Sequence, residues 1–157
     1  MSVKTIDALL EEHAFFSDFD SGHLGLIAGC ASNVKFSAGE QIFREGESAD
    51  RFFLLRYGAV AVEMFAPGKG PITIQTLHEG DVLGWSWLLP PYRWRHDARA
   101  IELTRAFAFE GTCLRRKCED DPRFGYQLMR HFAGVISERL ANAQLQLVDL
   151  YGGARRA

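Results

Sequence analysis

Cysteine is scarce in this chain. Its three thiols, Cys30, Cys113 and Cys118, form no C-x-x-C pair. An odd, sparse set argues against a disulfide framework and for small buried thiols in a reducing compartment. It also falls short of the roughly four cysteines that an iron–sulfur cluster takes. Histidine is equally thin: His13, His23, His78, His96 and His131 are scattered, none within two positions of another. The convergent N, O and S ligands of a metalloenzyme are therefore missing. His96 stands beside Asp97, but with no nucleophile or second carboxylate near them in sequence the two read as a polar pair, not as an acid–base couple. No apolar run nears the roughly 20 residues that cross a bilayer. The N-terminus lacks the basic stretch and apolar run of a secretory signal. Neither charge is in excess: 18 Lys and Arg against 20 Asp and Glu leave a net charge of −2, which offers no bulk attraction to nucleic acid or an anionic membrane. The expectation is a cytoplasmic, non-catalytic protein that contacts no membrane.

What is present is a run of short β-type segments divided by glycines. Between Ala38 and Gly84, Gly39, Gly46, Gly58, Gly80 and Gly84 separate stretches such as Phe52–Leu55 and Ala59–Phe65. Glycine supplies the positive φ that tight turns need, and short strands at such intervals favour a closed or sandwiched β body. Val34 and Phe36 alternate with Lys35 and Ser37, and Ile72 and Ile74 flank Thr73, the period of a half-buried strand. Ala66-Pro67-Gly68-Lys69-Gly70-Pro71 reads as a hairpin loop, and Ala106–Phe109 as a closing strand.

Helices are expected on either side. Residues 1–31 carry Ile6, Leu9, Leu10 and His13 on one face, then the cluster Phe15, Phe16 and Phe19, then a second helix capped by Asp20 or Ser21. The phenylalanines read as core. Asp121-Pro122 opens a last helix, with an acidic cap and proline at the first position. Met129, Phe132, Ile136, Leu140, Ala143, Leu147 and Leu150 follow at spacings of three and four, and Gly152-Gly153 is read as its stop. This stripe is longer than one sheet face requires. Part of it can lie on the β body, and the remainder, Phe132, Ile136, Leu140, Ala143 and Leu147, is expected to pair two subunits. Cys113 and Cys118 are expected to pack in a helix over the sheet. The whole is one domain over 1–157: helices over 1–31, a β-roll over 33–109 and helices over 111–151.

Taken together, Gly39-Glu40, Ile42-Phe43, Gly46, Ala49-Asp50, Gly58, Gly80-Asp81 and Leu83-Gly84 resemble the cyclic nucleotide-binding domain of the Crp/Fnr-type regulators. The resemblance implies a mainly β fold, a double-stranded β-helix or jelly roll with flanking helices and a long C-terminal helix that pairs two copies. It implies cyclic AMP or cyclic GMP as ligand, a sensory role, and an output domain moved by the long helix. Here seven residues follow Leu150, so the expectation is no direct DNA binding and action through an unidentified protein partner. Some relatives carry haem, and His78 or Cys113 stay open as its ligands.

The ligand cassette departs from the family pattern. The family places a ribose-binding Glu and, further on, a phosphate-binding Arg between the strands that follow Gly84. With Thr104 aligned to the family's threonine, Trp85 stands at the Glu position and His96 at the Arg position. A hydrogen bond to a charged group contributes about 1.5–3 kcal/mol, so losing both anchors weakens a cyclic nucleotide by roughly two to four orders of magnitude. Arg93, Arg95 and Arg99 are the candidate replacements, with Asp97 opposing a phosphate. All three tryptophans fall in this stretch, and Trp85 and Trp87 are read either as plugs of the pocket or as part of a different one for a planar anion. The candidate site is therefore Gly84, Trp85, Ser86, Trp87, Arg93, Arg95, His96, Asp97 and Arg99. A ligand-free scaffolding dimer is the alternative.

Overall fold

The computed structural model describes residues 5–154; the expected helical zone before Thr5, and residues 155–157, lie outside them. Helix α1 (Ile6–Glu11), a single 3-10 turn (Ala14–Phe16) and α2 (Ser21–Ala28) come first. Asp20 caps α2 by accepting the His23 amide at 2.8 Å. Eight strands follow: β1 (Ala31–Phe36), β2 (Gln41–Phe43), β3 (Arg51–Tyr57), β4 (Val60–Ala66), β5 (Gly70–Leu77), β6 (Val82–Leu83), β7 (Asp97–Ala100) and β8 (Thr104–Glu110). Helices α3 (Gly111–Asp120) and α4 (Pro122–Ala154) complete the chain.

The strands form two four-stranded antiparallel sheets, in the orders β1-β8-β3-β6 and β2-β7-β4-β5. They face each other as the closed or sandwiched β body that the glycine spacing favours, in the jelly-roll form that the family resemblance implies. Strand β3 reads as an unbroken apolar run because both of its faces are buried. Phe53 and Leu55 point into the roll, while Phe52 and Leu54 point to the helices. Strand β8 divides the labour by size: Ala106 and Ala108 face the narrow interior, and Phe107 and Phe109 face the helical side. There Phe16, Leu24, Ile27, Leu114, Phe124, Leu128 and Phe132 close a second core. Gly58 turns β3 into β4 at φ +95°, and a Cβ there would sit 2.6 Å from Thr104 Oγ1. No other residue fits that position.

Three expectations need correction. Cys30 and Cys113 are not separate thiols but a disulfide, with Cα atoms 5.9 Å apart across 83 residues of sequence. The sheet brings the end of α2 beside the first turn of α3, a proximity that cysteine spacing cannot register. Only Cys118 is free among the described residues; burial pushes its thiol up to about 11. The hairpin is tighter than its composition suggested, since the β4–β5 ladder continues to Ala66 opposite Gly70. Gly152 and Gly153 do not stop α4, which runs through to Ala154; glycine lowers helix propensity by about 1 kcal/mol but removes no hydrogen bond.

Asp121 Oδ1 accepts the Phe124 amide at 3.3 Å, which starts α4 where its Asp-Pro signal placed it. Its 33 residues extend about 50 Å at the ordinary helical rise. The first third is locked into the helical core by Phe124, Leu128 and Phe132. Beyond Leu140 the described side chains are exposed.

Candidate ligand-binding site

The stretch between β6 and β7 is a loop wrapped around two indoles. Gly84 has φ +93°, and a Cβ there would lie 2.7 Å from the ring of Trp94. That indole stacks on Phe43 with centroids 3.7 Å apart and planes 8° apart. A one-turn 3-10 helix (Ser86–Leu88) follows, with Ser86 buried. Trp87 goes the other way, into the helical core, where it stacks on Phe52 at 5.2 Å and meets Phe132 edge-on at 5.3 Å. It does not line the cavity beneath the loop, so the reading of Trp87 as a pocket plug is corrected. Arg115 of α3 ties the loop down by donating to the Trp87 carbonyl and lying 4.3 Å from the Tyr92 ring centroid.

Two of the three cassette arginines, Arg93 and Arg99, are occupied elsewhere. Arg99 sits on β7 between Ala98 and Ala100, both of which point into the roll, so alternation turns Arg99 outward. There its Nε and Nη2 donate to the two oxygens of buried Glu63, both at 3.2 Å. Arg93 donates to the Gly46 carbonyl at 2.9 Å. Arg95 is exposed, its guanidinium 5.8 Å from the Trp85 ring centroid. Asp97 is held by the Glu45 amide, which it accepts at 2.7 Å.

Trp85 and His96 do converge. Both line a cavity of about 940 Å³ bounded by Val62 and Met64 of β4, by Ile74, Gln75 and Thr76 of β5, and by α4 from Ile136 onward. Burial holds the half-buried His96 imidazole below its ordinary value, against the pull of Glu45 and with help from Arg139 and Arg95. The neutral ring can donate from one nitrogen and accept at the other.

Sequence reasoning missed Arg139. Arg139 of α4 lines the same cavity, and its guanidinium donates to the Val82 carbonyl. Burial pushes it below its ordinary value, while Asp81 and Glu138 favour its charge. None of the ion pairs among the described residues includes it. The signal was available: Arg139 lies seven residues after Phe132 and three after Ile136, on the face of α4 that meets the roll. Gln146, seven further on, continues that face and donates to the Ile74 carbonyl at 3.4 Å.

The stripe expected to pair subunits divides along its length. Phe132 is fully buried against Phe15, Phe52 and Trp87 and presents nothing to a second chain, which removes it from that expectation. Ile136 is half-buried, Ala143 is exposed, and Leu140 and Leu147 are 58% and 53% exposed.

The profile of the cyclic nucleotide-binding domain matches residues 33–121, over half of the chain. The chain belongs to the cyclic nucleotide-binding domain family. As a cyclic nucleotide-binding domain it has regulatory relatives. The CRP-like cAMP-activated global transcriptional regulator of Mycobacterium tuberculosis is 25% identical over 145 residues, covering 92% of this chain. The chain spans 63% of that regulator's length. A cyclic-nucleotide-binding-type protein from Geobacter metallireducens superimposes with a TM-score of 0.76 at 28% identity, over 88% of this chain and 99% of the other. A cyclic nucleotide-binding domain from Methylobacillus flagellatus gives 0.78 at 17% identity, over 92% of this chain and 82% of the other, and so shares the fold. The family is regulatory. Among the described residues, no helix is long and apolar enough to cross a membrane.

Proposed function

We propose that this protein is a non-catalytic sensory module whose phosphate-binding cassette has lost its grip on a cyclic phosphate, and that it signals as a dimer through α4 to a partner protein. One observation supports the reading: Trp85 and His96, which the family resemblance aligns with the ribose-binding and phosphate-binding positions, line one cavity together, while Arg93 and Arg99 are engaged elsewhere. A bulky indole and a neutral imidazole supply none of the charge-assisted bonds that a cyclic phosphodiester and its ribose require. The cavity remains open beside α4, which favours a sensor over a filled scaffold. Its lining couples the cassette directly to the helix, so an occupant that drew the two together would bias the position of α4. The exposed leucines of α4 supply the surface for a second copy and for the output.

Intrinsic tryptophan fluorescence tests this reading, because Trp85 lines the cavity. Titration with cyclic AMP and cyclic GMP is expected to leave the emission unchanged through the micromolar range. A saturable micromolar response to either nucleotide contradicts it.

A further inference from the structure

The cavity beside α4 is lined by a cation whose donors the fold uses only in part. Arg139 lies in a partly desolvated position, its described hydrogen bond goes to a single backbone carbonyl, and among the described residues no carboxylate pairs with it. A guanidinium carries five N–H donors in a planar fork that fits a carboxylate or a sulfonate. Leaving most of them without protein acceptors in a half-buried site is costly. The remaining walls are of two kinds. Trp85, Ile74 and Val62 offer apolar and aromatic surface, and His96 and Gln75 offer neutral hydrogen-bonding groups.

We propose that this cavity binds a small organic anion with a planar, apolar body, its charged head held by Arg139 and its body laid against Trp85. This deepens the proposed function and rests on it: the site is the family's cavity, but the anion is gripped from the helix instead of from the cassette. The consequence is mechanical. A phosphate held by a cassette arginine moves α4 only through intervening contacts, whereas an anion held by Arg139 draws on the helix itself. Asp81 and Glu138 are near enough to favour the charge on Arg139 without competing for its donors. A nucleotide is disfavoured because its ribose and phosphate would meet Trp85 and neutral His96, while an uncharged aromatic forgoes the guanidinium.

The test compares two probes with closely similar bodies: 1-anilinonaphthalene-8-sulfonate, which is anionic, and N-phenyl-1-naphthylamine, which is neutral. Each is titrated against the wild-type protein, Arg139→Gln and Arg139→Lys, with cyclic AMP titrated in parallel. The sulfonate is expected to bind wild type at least about tenfold more tightly than the neutral amine. Arg139→Gln abolishes that preference while keeping affinity for the amine, which reports an intact cavity, and Arg139→Lys retains part of the preference. Energy transfer from tryptophan to the sulfonate, diminished by Trp85→Phe, places the probe beside that ring. Unchanged sulfonate affinity in both Arg139 variants overturns the inference. If cyclic AMP remains without effect in that case, the reading of a weakened cassette survives and only the role of Arg139 is lost. Tight cyclic AMP binding indifferent to Arg139 defeats the reading itself.

Discussion

Arg99 and Glu63 are locked together on the outer face of the second sheet, with two guanidinium nitrogens each 3.2 Å from a different carboxylate oxygen. Glu63 is 7% exposed and has this fork as its partner, and Glu63 in turn raises the pKa of Arg99. Arg99 is therefore structural. Arg99→Met is expected to lower the thermal unfolding midpoint by stranding a buried carboxylate. The double variant Arg99→Met with Glu63→Gln should recover part of the loss. Neither is expected to change occupancy of the cavity, and a ligand affinity that follows Arg99 would show that the side chain turns inward.

The Cys30–Cys113 bridge clamps α2 to α3 across the helical core. A closure of that length removes much of the unfolded chain's freedom, and loss of such a bridge costs about 2–4 kcal/mol. Cys30→Ser with Cys113→Ser should reduce the free energy of urea unfolding by that amount, and dithiothreitol should reproduce the shift in wild type but not in the variant. Identical midpoints with and without reductant would mean that the pair does not bridge in solution.

Acid should weaken the fold through two histidines. His96 and His13 are both held below the ordinary value of 6.5, chiefly by burial. A base depressed in the native state binds fewer protons there than in the unfolded chain. The two histidines thus contribute stability that is complete above about pH 6.5 and declines as pH falls through their native values. Urea midpoints measured from about pH 8 to about pH 5 should fall over the lower part of that range, and His96→Gln with His13→Gln should flatten the fall. Asp18, depressed mainly by its hydrogen bond to His131, acts only lower: its contribution is present above its unfolded value of 3.8 and is lost as acid carries it through the native one.

Leu140, Leu145, Leu147, Val148, Leu150 and Tyr151 are each more than half exposed on α4. The proposed dimer would use this exposed apolar surface. Light scattering should give twice the 17.6 kDa chain mass for the wild-type protein. Leu140→Glu with Leu147→Glu should halve that mass without changing the circular dichroism. A wild-type monomer at all accessible concentrations would remove α4 as a pairing surface.

The β-roll was legible because its turns depend on positions that only glycine fills, such as Gly58 and Gly84, and because strands buried on both faces, such as β3, stand out as apolar runs. The cassette was legible only by position. Trp85 and His96 share a cavity, but nothing in the order of residues 84–99 shows that Trp87 turns to the helices or that Arg99 turns out. Direction within an irregular loop depends on what packs beneath it, here Phe52 under Trp87 and Phe43 under Trp94. The disulfide and Arg139 were missed for a related reason. Both are contacts between elements far apart in the chain, which the order of residues does not show.

On the proposed reading, the roll retains the family's cavity and lacks only the two side chains that grip a cyclic nucleotide. Restoring them tests it most directly: Trp85→Glu with His96→Arg, titrated with cyclic AMP by isothermal calorimetry after its fold is checked by thermal melting. The account predicts little or no heat from the wild type below millimolar nucleotide and a gain of at least about a hundredfold in affinity for the double variant. Micromolar binding by the wild type, not improved by the two substitutions, would contradict it.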